Sequence, residues 1–68
     1  MEHISSVIKS ERIAKGMTQA QLAEAIHVTQ DSISLWELGK RYPDTQYLVP
    51  LCKTLQISAD YLLGLSEV

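Results

Sequence analysis

The hydrophobic residues of this chain recur at helical spacing in five segments, and no segment shows the strict alternation of a half-buried strand. Glycines and short polar stretches separate the segments. The pattern predicts an all-α fold with helices at about residues 4–15, 19–26, 30–38, 45–55 and 59–63. Because we find no repeat, linker or low-complexity tract, we expect residues 1–68 to form a single domain.

The fourth predicted helix carries an apolar stripe and an internal proline. Leu48, Leu51, Cys52 and Leu55 occupy positions i, i+3, i+4 and i+7, which form one face of a helix. Pro50 lies within this stripe, and proline is tolerated mainly in the first turn of a helix. We therefore expect this helix to begin late or to have an irregular first turn.

The second and third helices begin with clear start signals. Thr18 followed by Gln21 matches the capping box, and Met17 and Leu22 occupy the positions of a hydrophobic staple around it. Thr29 is predicted to cap the third helix in the same way. Since only residues 27–29 separate the two helices, they must cross at a steep angle rather than lie side by side.

Apolar residues of these two helices are spaced to meet across the turn, because residues three or four apart share a helix face. The predicted small core consists of Leu22, Ile26, Val28, Ile33 and Trp36. Ala23 is small enough to let the crossing helices approach closely. The spacing indicates a helix-turn-helix rather than a plain helical hairpin.

His27 lies in the middle of the turn, where the backbone needs a positive φ. Glycine adopts this conformation without a Cβ penalty, and histidine is among the few other residues enriched there. We therefore interpret His27 as a turn residue rather than a metal ligand or a base. His3 is expected to be a solvated terminal residue.

The composition argues against several classes of protein. Cys52 is the only cysteine, so no internal disulfide is possible, and its place on an apolar stripe predicts a core thiol. No apolar run approaches the ~18 residues of a membrane span, and the N-terminus lacks a signal-peptide core. We expect a cytoplasmic protein with no membrane partner. No metal-ligand cluster, glycine-rich phosphate loop or supported carboxylate pair is evident, so we expect no enzyme, metal or cofactor.

The overall charge does not by itself indicate a nucleic-acid partner. The net charge is −2, whereas a nucleic-acid binder usually has a basic balance. Lys40 and Arg41 are adjacent, and Lys9, Arg12 and Lys15 repeat at three-residue spacing. A local basic patch on an acidic chain is therefore compatible with the sequence.

The outer face of the third helix is the strongest candidate for a binding surface. It is predicted to consist of Thr29, Gln30, Asp31, Ser34, Leu35 and Leu38. An ordinary surface helix would carry Lys and Glu here. A helix fits the major groove of DNA, which is about 12 Å wide, and there Gln pairs with adenine, Asp accepts from cytosine and Leu touches a thymine methyl group. The alternative is a face that is merely solvated.

The run TQAQLAEAIHVTQDSISLWELGKR resembles the lambdoid phage repressor and Cro family of helix-turn-helix proteins, also called the Xre-type family. KSERIAKGMTQ resembles the first helix of that family and ISADYLLG the last, so the resemblance covers nearly the whole chain. It implies a five-helix lambda-repressor-like DNA-binding domain with the helix-turn-helix at helices 2 and 3. His27 replaces the usual glycine of the family, and Asp31 and Leu35 stand where longer polar residues are common.

The resemblance also implies roles for individual residues on DNA. The residues expected to read base edges are Gln30, Asp31, Ser34 and Leu35. The residues expected to bind phosphates are Gln19, Thr29, Ser32, Lys40 and Arg41.

Arg12 lies four residues after Ile8 and eight after Ile4, on a stripe that should face the core. One interpretation is a side chain whose stem covers apolar surface while its head stays in water. The other, which the family resemblance supports, is an ion pair with Glu37 that ties the first helix to the end of the third. A lone buried guanidinium is costly, which favours a partner.

The sequence therefore predicts a transcriptional regulator, in the sense of a repressor, that binds double-stranded DNA. Its third helix would enter the major groove of a palindromic operator, and it would act as a homodimer. The alternative is an antitoxin-like module that uses the same face, including Asp31 and Leu35, to bind a protein such as a toxin. The acidic balance favours this alternative, whereas Gln19, Lys40 and Arg41 favour DNA.

Large apolar residues near the C-terminus are the candidate dimer contact. They are Tyr61, Leu62, Leu63 and Leu65. Because a short helix cannot bury all four, we expect one or two to stay exposed and to form a weak two-fold contact that is reinforced on DNA. Tyr47 and the turn at 41–43 are expected to lie nearby. The alternative is that these side chains simply close the core of the monomer.

Overall fold

Five α-helices follow one another along the chain in the computed structural model. The structure describes residues 2–65, and for Glu2 only the backbone. The helices are α1 (Glu2–Ala14), α2 (Gln19–Ile26), α3 (Gln30–Glu37), α4 (Thr45–Leu55) and α5 (Ala59–Leu63). Within the described residues there is no strand, so the predicted all-α fold and the number of helices are confirmed.

All five helices contribute to one hydrophobic core. The largest fully buried side chains are Ile8, Leu22, Ile33, Leu51, Leu55 and Leu62. The small core predicted across the α2–α3 turn is part of it, with Val28 half-buried and the other four members buried. Ala23 is also buried, as expected for a point of close helix approach.

The predicted start signals are present in the structure. The Thr18 hydroxyl accepts from the Gln21 N–H at 3.0 Å, and the Gln21 side chain accepts from the Thr18 N–H at 2.8 Å, which completes the capping box. Ser58 caps α5 through the Tyr61 N–H at 3.0 Å. α1 begins two residues earlier than predicted and ends one residue earlier, with Gly16 in the left-handed conformation at φ 69°.

Of the two alternatives expected for α4, a late start or an irregular first turn, the late start is wrong. The helix begins at Thr45, and Pro50 is its sixth residue. Proline removes the hydrogen bond to the carbonyl four residues earlier, which is that of Gln46. Gln46 is exposed and in the first turn, so water can bind the carbonyl that the proline leaves free. The first turn also contains a hydrogen bond that spans three residues instead of four, from the Tyr47 N–H to the Asp44 carbonyl at 2.9 Å.

The α2–α3 turn has the geometry expected from its sequence. His27 is left-handed, with φ 61° and ψ 46°, which confirms it as a turn residue. The next N–H, that of Val28, donates to the Ala23 carbonyl at 2.9 Å and closes the end of α2. Thr29 then caps α3 through the Ser32 N–H at 3.2 Å.

The N-terminus and the C-terminal segment contact each other through His3. Its Nε2 donates to the Tyr61 carbonyl at 2.9 Å, and the two rings meet edge to face with centroids 6.3 Å apart. His3 is exposed, which agrees with the predicted solvated side chain, but its contacts with Tyr61 were not predicted from the sequence. The Tyr61 carbonyl also accepts from the Gly64 N–H at 3.2 Å, so the imidazole of His3 supplies a second donor to this carbonyl at the end of α5.

Candidate nucleic-acid interface

The outer face of α3 is exposed at both ends and half-buried in the middle. Ile33 and Trp36 are buried on the inner face. Gln30 and Asp31 are exposed at the start of the outer face, and Ser34 and Leu35 are half-buried along it. Leu38, at the end of the same face, is 64% exposed, so this face offers hydrogen-bonding groups followed by an apolar group.

The two small hydroxyls at the start of α3 are joined to each other. The Thr29 and Ser32 hydroxyl oxygens lie 3.0 Å apart, and Thr29 also accepts from the Ser32 N–H. Each hydroxyl keeps further hydrogen-bonding capacity, because it has one donor and two acceptor positions. Thr29 is exposed and Ser32 half-buried, so a ligand can reach this pair beside the N-terminus of α3.

The N-terminus of α2 presents a second polar edge. Gln19 is the first residue of this helix and is half-buried. The first N–H groups of a helix have no intrahelical acceptor, and the Thr18 cap uses only that of Gln21. Together with the helix dipole, these N–H groups favour an anion at this end of α2.

Arg12 and Glu37 form the ion pair considered from the sequence, and its geometry is bidentate. Arg12 Nε donates to Glu37 Oε2 at 2.6 Å, and Nη2 donates to Oε1 at 3.1 Å. The two side chains are only 12% and 4% exposed. The pair therefore ties α1 to the end of α3 away from solvent.

The ion pair also contacts the turn before α2 and the first residue of that helix. Arg12 Nη1 donates to the Met17 carbonyl at 2.8 Å, in the turn just before that helix. Gln19 Nε2 donates to Glu37 Oε1 at 3.1 Å. The network thus fixes the start of α2 relative to α3, the two elements whose polar edges form the candidate interface.

Electrostatics inside the network keep Arg12 charged. The hydrogen bonds that Arg12 donates to Glu37 raise the pKa of its guanidinium, burial lowers it, and the negative charge of the carboxylate raises it further. Arginine is protonated at any physiological pH, so its own charge does not change across the neutral range.

Lys40 and Arg41 follow α3 directly and are both exposed. Gly39 ends the helix in the left-handed conformation, at φ 73°, and the Lys40 N–H donates to the Leu35 carbonyl at 3.0 Å. Neither cation forms an ion pair with another of residues 2–65. Their charges are therefore available to an outside anion.

Among residues 2–65, no three His, Cys, Asp or Glu side chains are grouped so that they could hold a metal ion. Cys52 is half-buried against the core, and burial raises the pKa of its thiol, so the less reactive thiol form is favoured. No helix in this range combines the length and hydropathy needed to cross a membrane.

Two crossing helices joined by a left-handed turn, the second with a polar outer face, define a helix-turn-helix protein. Residues 8–62 match the Helix-turn-helix family, and the chain belongs to that family.

Relatives of this chain include named transcription regulators. It is 40% identical over 57 residues to the HTH-type transcriptional activator BcrR of Enterococcus faecalis, covering 84% of this chain and 28% of that protein. It is 38% identical over 61 residues to the HTH-type transcriptional regulator ImmR of Bacillus subtilis, covering 90% and 48%. Repressor protein C2 of Salmonella phage P22 is 38% identical over 56 residues, covering 82% and 26%. The chain thus spans less than half the length of each of these relatives.

Solved structures with the same fold include proteins bound to DNA. The P22 c2 repressor in complex with a synthetic operator superposes with a TM-score of 0.87 at 33% identity, covering 93% of this chain and 96% of that one. Bacillus thuringiensis PlcR, in complex with the peptide PapR7 and DNA, superposes with a TM-score of 0.86 at 34% identity, covering 96% and 23%.

Proposed function

We propose that this chain is the sequence-specific DNA-binding domain of a transcriptional regulator. The observation that carries the proposal is the outer face of α3, which lies beside the N-terminus of α2 and is followed by the exposed cations Lys40 and Arg41. Structural neighbours at 33% and 34% identity are bound to an operator and to DNA, which supports a duplex as the ligand. In this role α3 enters the major groove and α2 crosses the backbone.

Gln30, Asp31, Ser34 and Leu35 are the proposed base-reading residues. Gln30 is exposed at the first position of α3, and its amide can form two hydrogen bonds to an adenine edge. Asp31 is also exposed and accepts from cytosine N4, while Leu35 contacts a thymine methyl group. Ser34 lies between them and can bond to either kind of base edge.

Gln19, Thr29, Ser32, Lys40 and Arg41 are the proposed phosphate contacts. Gln19 and the Thr29–Ser32 pair lie at the starts of α2 and α3, where free N–H groups and the helix dipole favour an anion. Lys40 and Arg41 supply the positive charge locally, so the net charge of −2 does not prevent binding.

The same surface suits repression at an operator in the cytoplasm. A repressor needs only to occupy its site, and neither a catalytic group nor a cofactor enters this proposal. The relatives include one named as an activator and one named as a repressor, so a reporter gene with the operator placed over its promoter is the direct check. Reduced expression is the expected result, and increased expression would contradict repression.

The central experiment selects bound sequences from a random duplex pool and then titrates salt. A selected motif with two inverted half-sites is expected. Lys40→Ala should weaken binding to selected and random duplexes alike. It should also reduce the salt slope, which is the slope of the logarithm of the binding constant against the logarithm of the salt concentration, by about one unit. A protein-binding function would instead give no enriched motif and no steep salt dependence, because the salt dependence comes from released counterions.

We further propose that the protein binds its operator as a weak homodimer through the end of α5. Leu62 is buried and Tyr61 half-buried, whereas Leu63 and Leu65 are 42% and 75% exposed. This distribution leaves two large apolar groups free for a second copy. Tyr47, considered a neighbour of this contact from the sequence, packs against the ring of Trp36 with centroids 5.6 Å apart.

Gel-shift titrations on full and half operators test the dimer. The native chain should fill the full operator cooperatively, because each half-site holds the other copy nearby. Leu65→Asp should abolish the cooperativity and leave binding to a half-site unchanged, since the side chain is largely exposed in the monomer. Independent filling of the two half-sites by the native chain would rule this contact out.

A further inference from the structure

The carboxylate of Glu37 accepts three side-chain hydrogen bonds at the end of α3. Two come from Arg12 and form the ion pair, and the third comes from Gln19 Nε2 at 3.1 Å. An ion pair that only stabilised the fold would need Arg12 alone. The bond to Gln19 connects the buried pair to a residue on the candidate interface.

This third bond determines which way the Gln19 amide faces. A carboxylate in an ion pair has no proton to donate, so it accepts only. Gln19 must therefore turn its NH2 group toward Glu37 and its carbonyl oxygen away. One of the two Nε2 hydrogens is used in this bond, and the other remains available to an outside acceptor.

We propose that Glu37 is a positioning residue for phosphate binding by Gln19. By holding the amide in one orientation, it aims the second N–H and the free backbone N–H groups of α2 at a single DNA phosphate. This role rests on the proposed function, because the ligand is a phosphate of the duplex. Glu37 itself is 4% exposed and makes no contact with DNA; it acts by ordering Gln19 before binding, which reduces the entropy cost of the contact.

A double-mutant cycle tests the proposal with a random-sequence duplex of about two helical turns as the probe. The variants are Glu37→Gln, Gln19→Ala and the two combined. Glu37→Gln keeps the shape of the side chain, but its amide can face Gln19 with either an oxygen or an NH2 group. Each single variant should weaken binding about fivefold, the size of one neutral hydrogen bond. The combined variant should bind no more weakly than Gln19→Ala alone.

The salt slope distinguishes this contact from those of the cations. Gln19 is neutral, so its loss releases no counterion and should leave the slope unchanged. Lys40→Ala, in the same assay, should reduce the slope. A merely structural role of Glu37 would not show coupling to Gln19.

Stability is controlled separately, because removing one partner of a buried pair is destabilising. All titrations are made at a temperature where circular dichroism shows every variant folded. Ile8→Val, a core variant outside the network, should lower the melting temperature without changing DNA affinity. If Glu37→Gln does not fold, Glu37→Asp replaces it, since Asp keeps the charge for Arg12 but is one methylene further from Gln19.

Three outcomes would overturn the proposal. An equal loss from Glu37→Gln with and without the Gln19 side chain would show that Glu37 acts through the fold alone. If Gln19→Ala leaves affinity unchanged while Lys40→Ala lowers it, the chain binds DNA without this contact. If the native chain shows no salt-dependent binding to any duplex, the proposed function fails as well.

Discussion

The turn between α2 and α3 has almost the same geometry as the turn between α4 and α5. The left-handed residue is His27 in the first turn, with φ 61° and ψ 46°, and Gln56 in the second, with φ 57° and ψ 45°. Two residues later the caps Thr29 and Ser58 also agree, with φ −80° in both and ψ of 155° and 154°. The same backbone conformation therefore occurs in both turns.

The hydrogen bonds of the two turns agree as well. The Val28 N–H donates to the Ala23 carbonyl at 2.9 Å, and the Ile57 N–H donates to the Cys52 carbonyl at 3.0 Å. The half-buried apolar side chains of Val28 and Ile57 both pack against the core. The residue after the left-handed position therefore anchors each turn.

The helices that follow these turns differ. α3 has eight residues, a mostly polar outer face and an ion pair at its far end. α5 has five residues, and Leu63 and Leu65 are exposed at and just beyond its end. The turn therefore sets the crossing of two helices, while the face of the second helix decides what it can bind.

The largest expected effect is the loss of stability when the buried side chain that α3 or α5 places in the core is truncated. Ile33 and Leu62 are four residues after their caps and fully buried. Ile33→Ala and Leu62→Ala should each lower the free energy of unfolding by roughly 2–5 kcal/mol, measured in urea, because a cavity replaces packed atoms. Leu63→Ala is the control on the same turn of helix and should cost far less. A cost below about 1 kcal/mol for Leu62→Ala would show that α5 is not anchored as described.

A smaller effect, on the selectivity for DNA sequence, should distinguish α3 from α5. Asp31 and Asp60 are both exposed and both second in their helices. Asp31→Ala should reduce the preference of the protein for its selected base by about 1–3 kcal/mol. Its affinity for random DNA should not fall, because a charge that repels phosphate is lost.

Asp60→Ala is the matched control for this comparison. Each substitution removes an acid from the first turn of a helix, so both should lower stability by similar amounts, about 0.3–1 kcal/mol. Only Asp31→Ala should change the selectivity of a competition between selected and altered duplexes. An equal change in selectivity from Asp60→Ala would mean that α5 contacts the DNA as well as α3.

Much of this geometry follows from local sequence. The caps at Thr18, Thr29 and Ser58 depend on side chains within three residues of the groups they bind. The left-handed turn at His27 was expected because an abrupt stop separates two strong helical patterns. The equivalent position at Gln56 carries no such signal, since glutamine is not a typical turn residue, yet the backbone there is the same.

The contacts that sequence spacing misses join distant residues. Gln19 and Glu37 are 18 positions apart, and His3 and Tyr61 are 58 apart. Arg12 and Glu37 were paired only because a buried charge needs a partner and the family resemblance pointed to one. No periodicity places a neutral amide beside that pair, so the link from the buried charges to the candidate interface appears only in the fold.

The smallest expected effect tests whether the two turns are energetically equivalent. A side chain in the left-handed conformation costs roughly 1–2 kcal/mol, which glycine avoids. Glycine also loses more conformational freedom on folding, by about 0.4–1 kcal/mol. His27→Gly and Gln56→Gly should therefore each stabilise the fold by about 0.5 kcal/mol, as the balance of these two terms. For a domain of this size that is a rise of about 2–4 °C in melting temperature, measured by circular dichroism.

His27→Gly should leave DNA affinity unchanged, because the imidazole is exposed on the turn and carries no proposed contact. Destabilisation by His27→Gly alone would show that its imidazole makes a stabilising contact that Gln56 lacks, and the two turns would then be alike in backbone only.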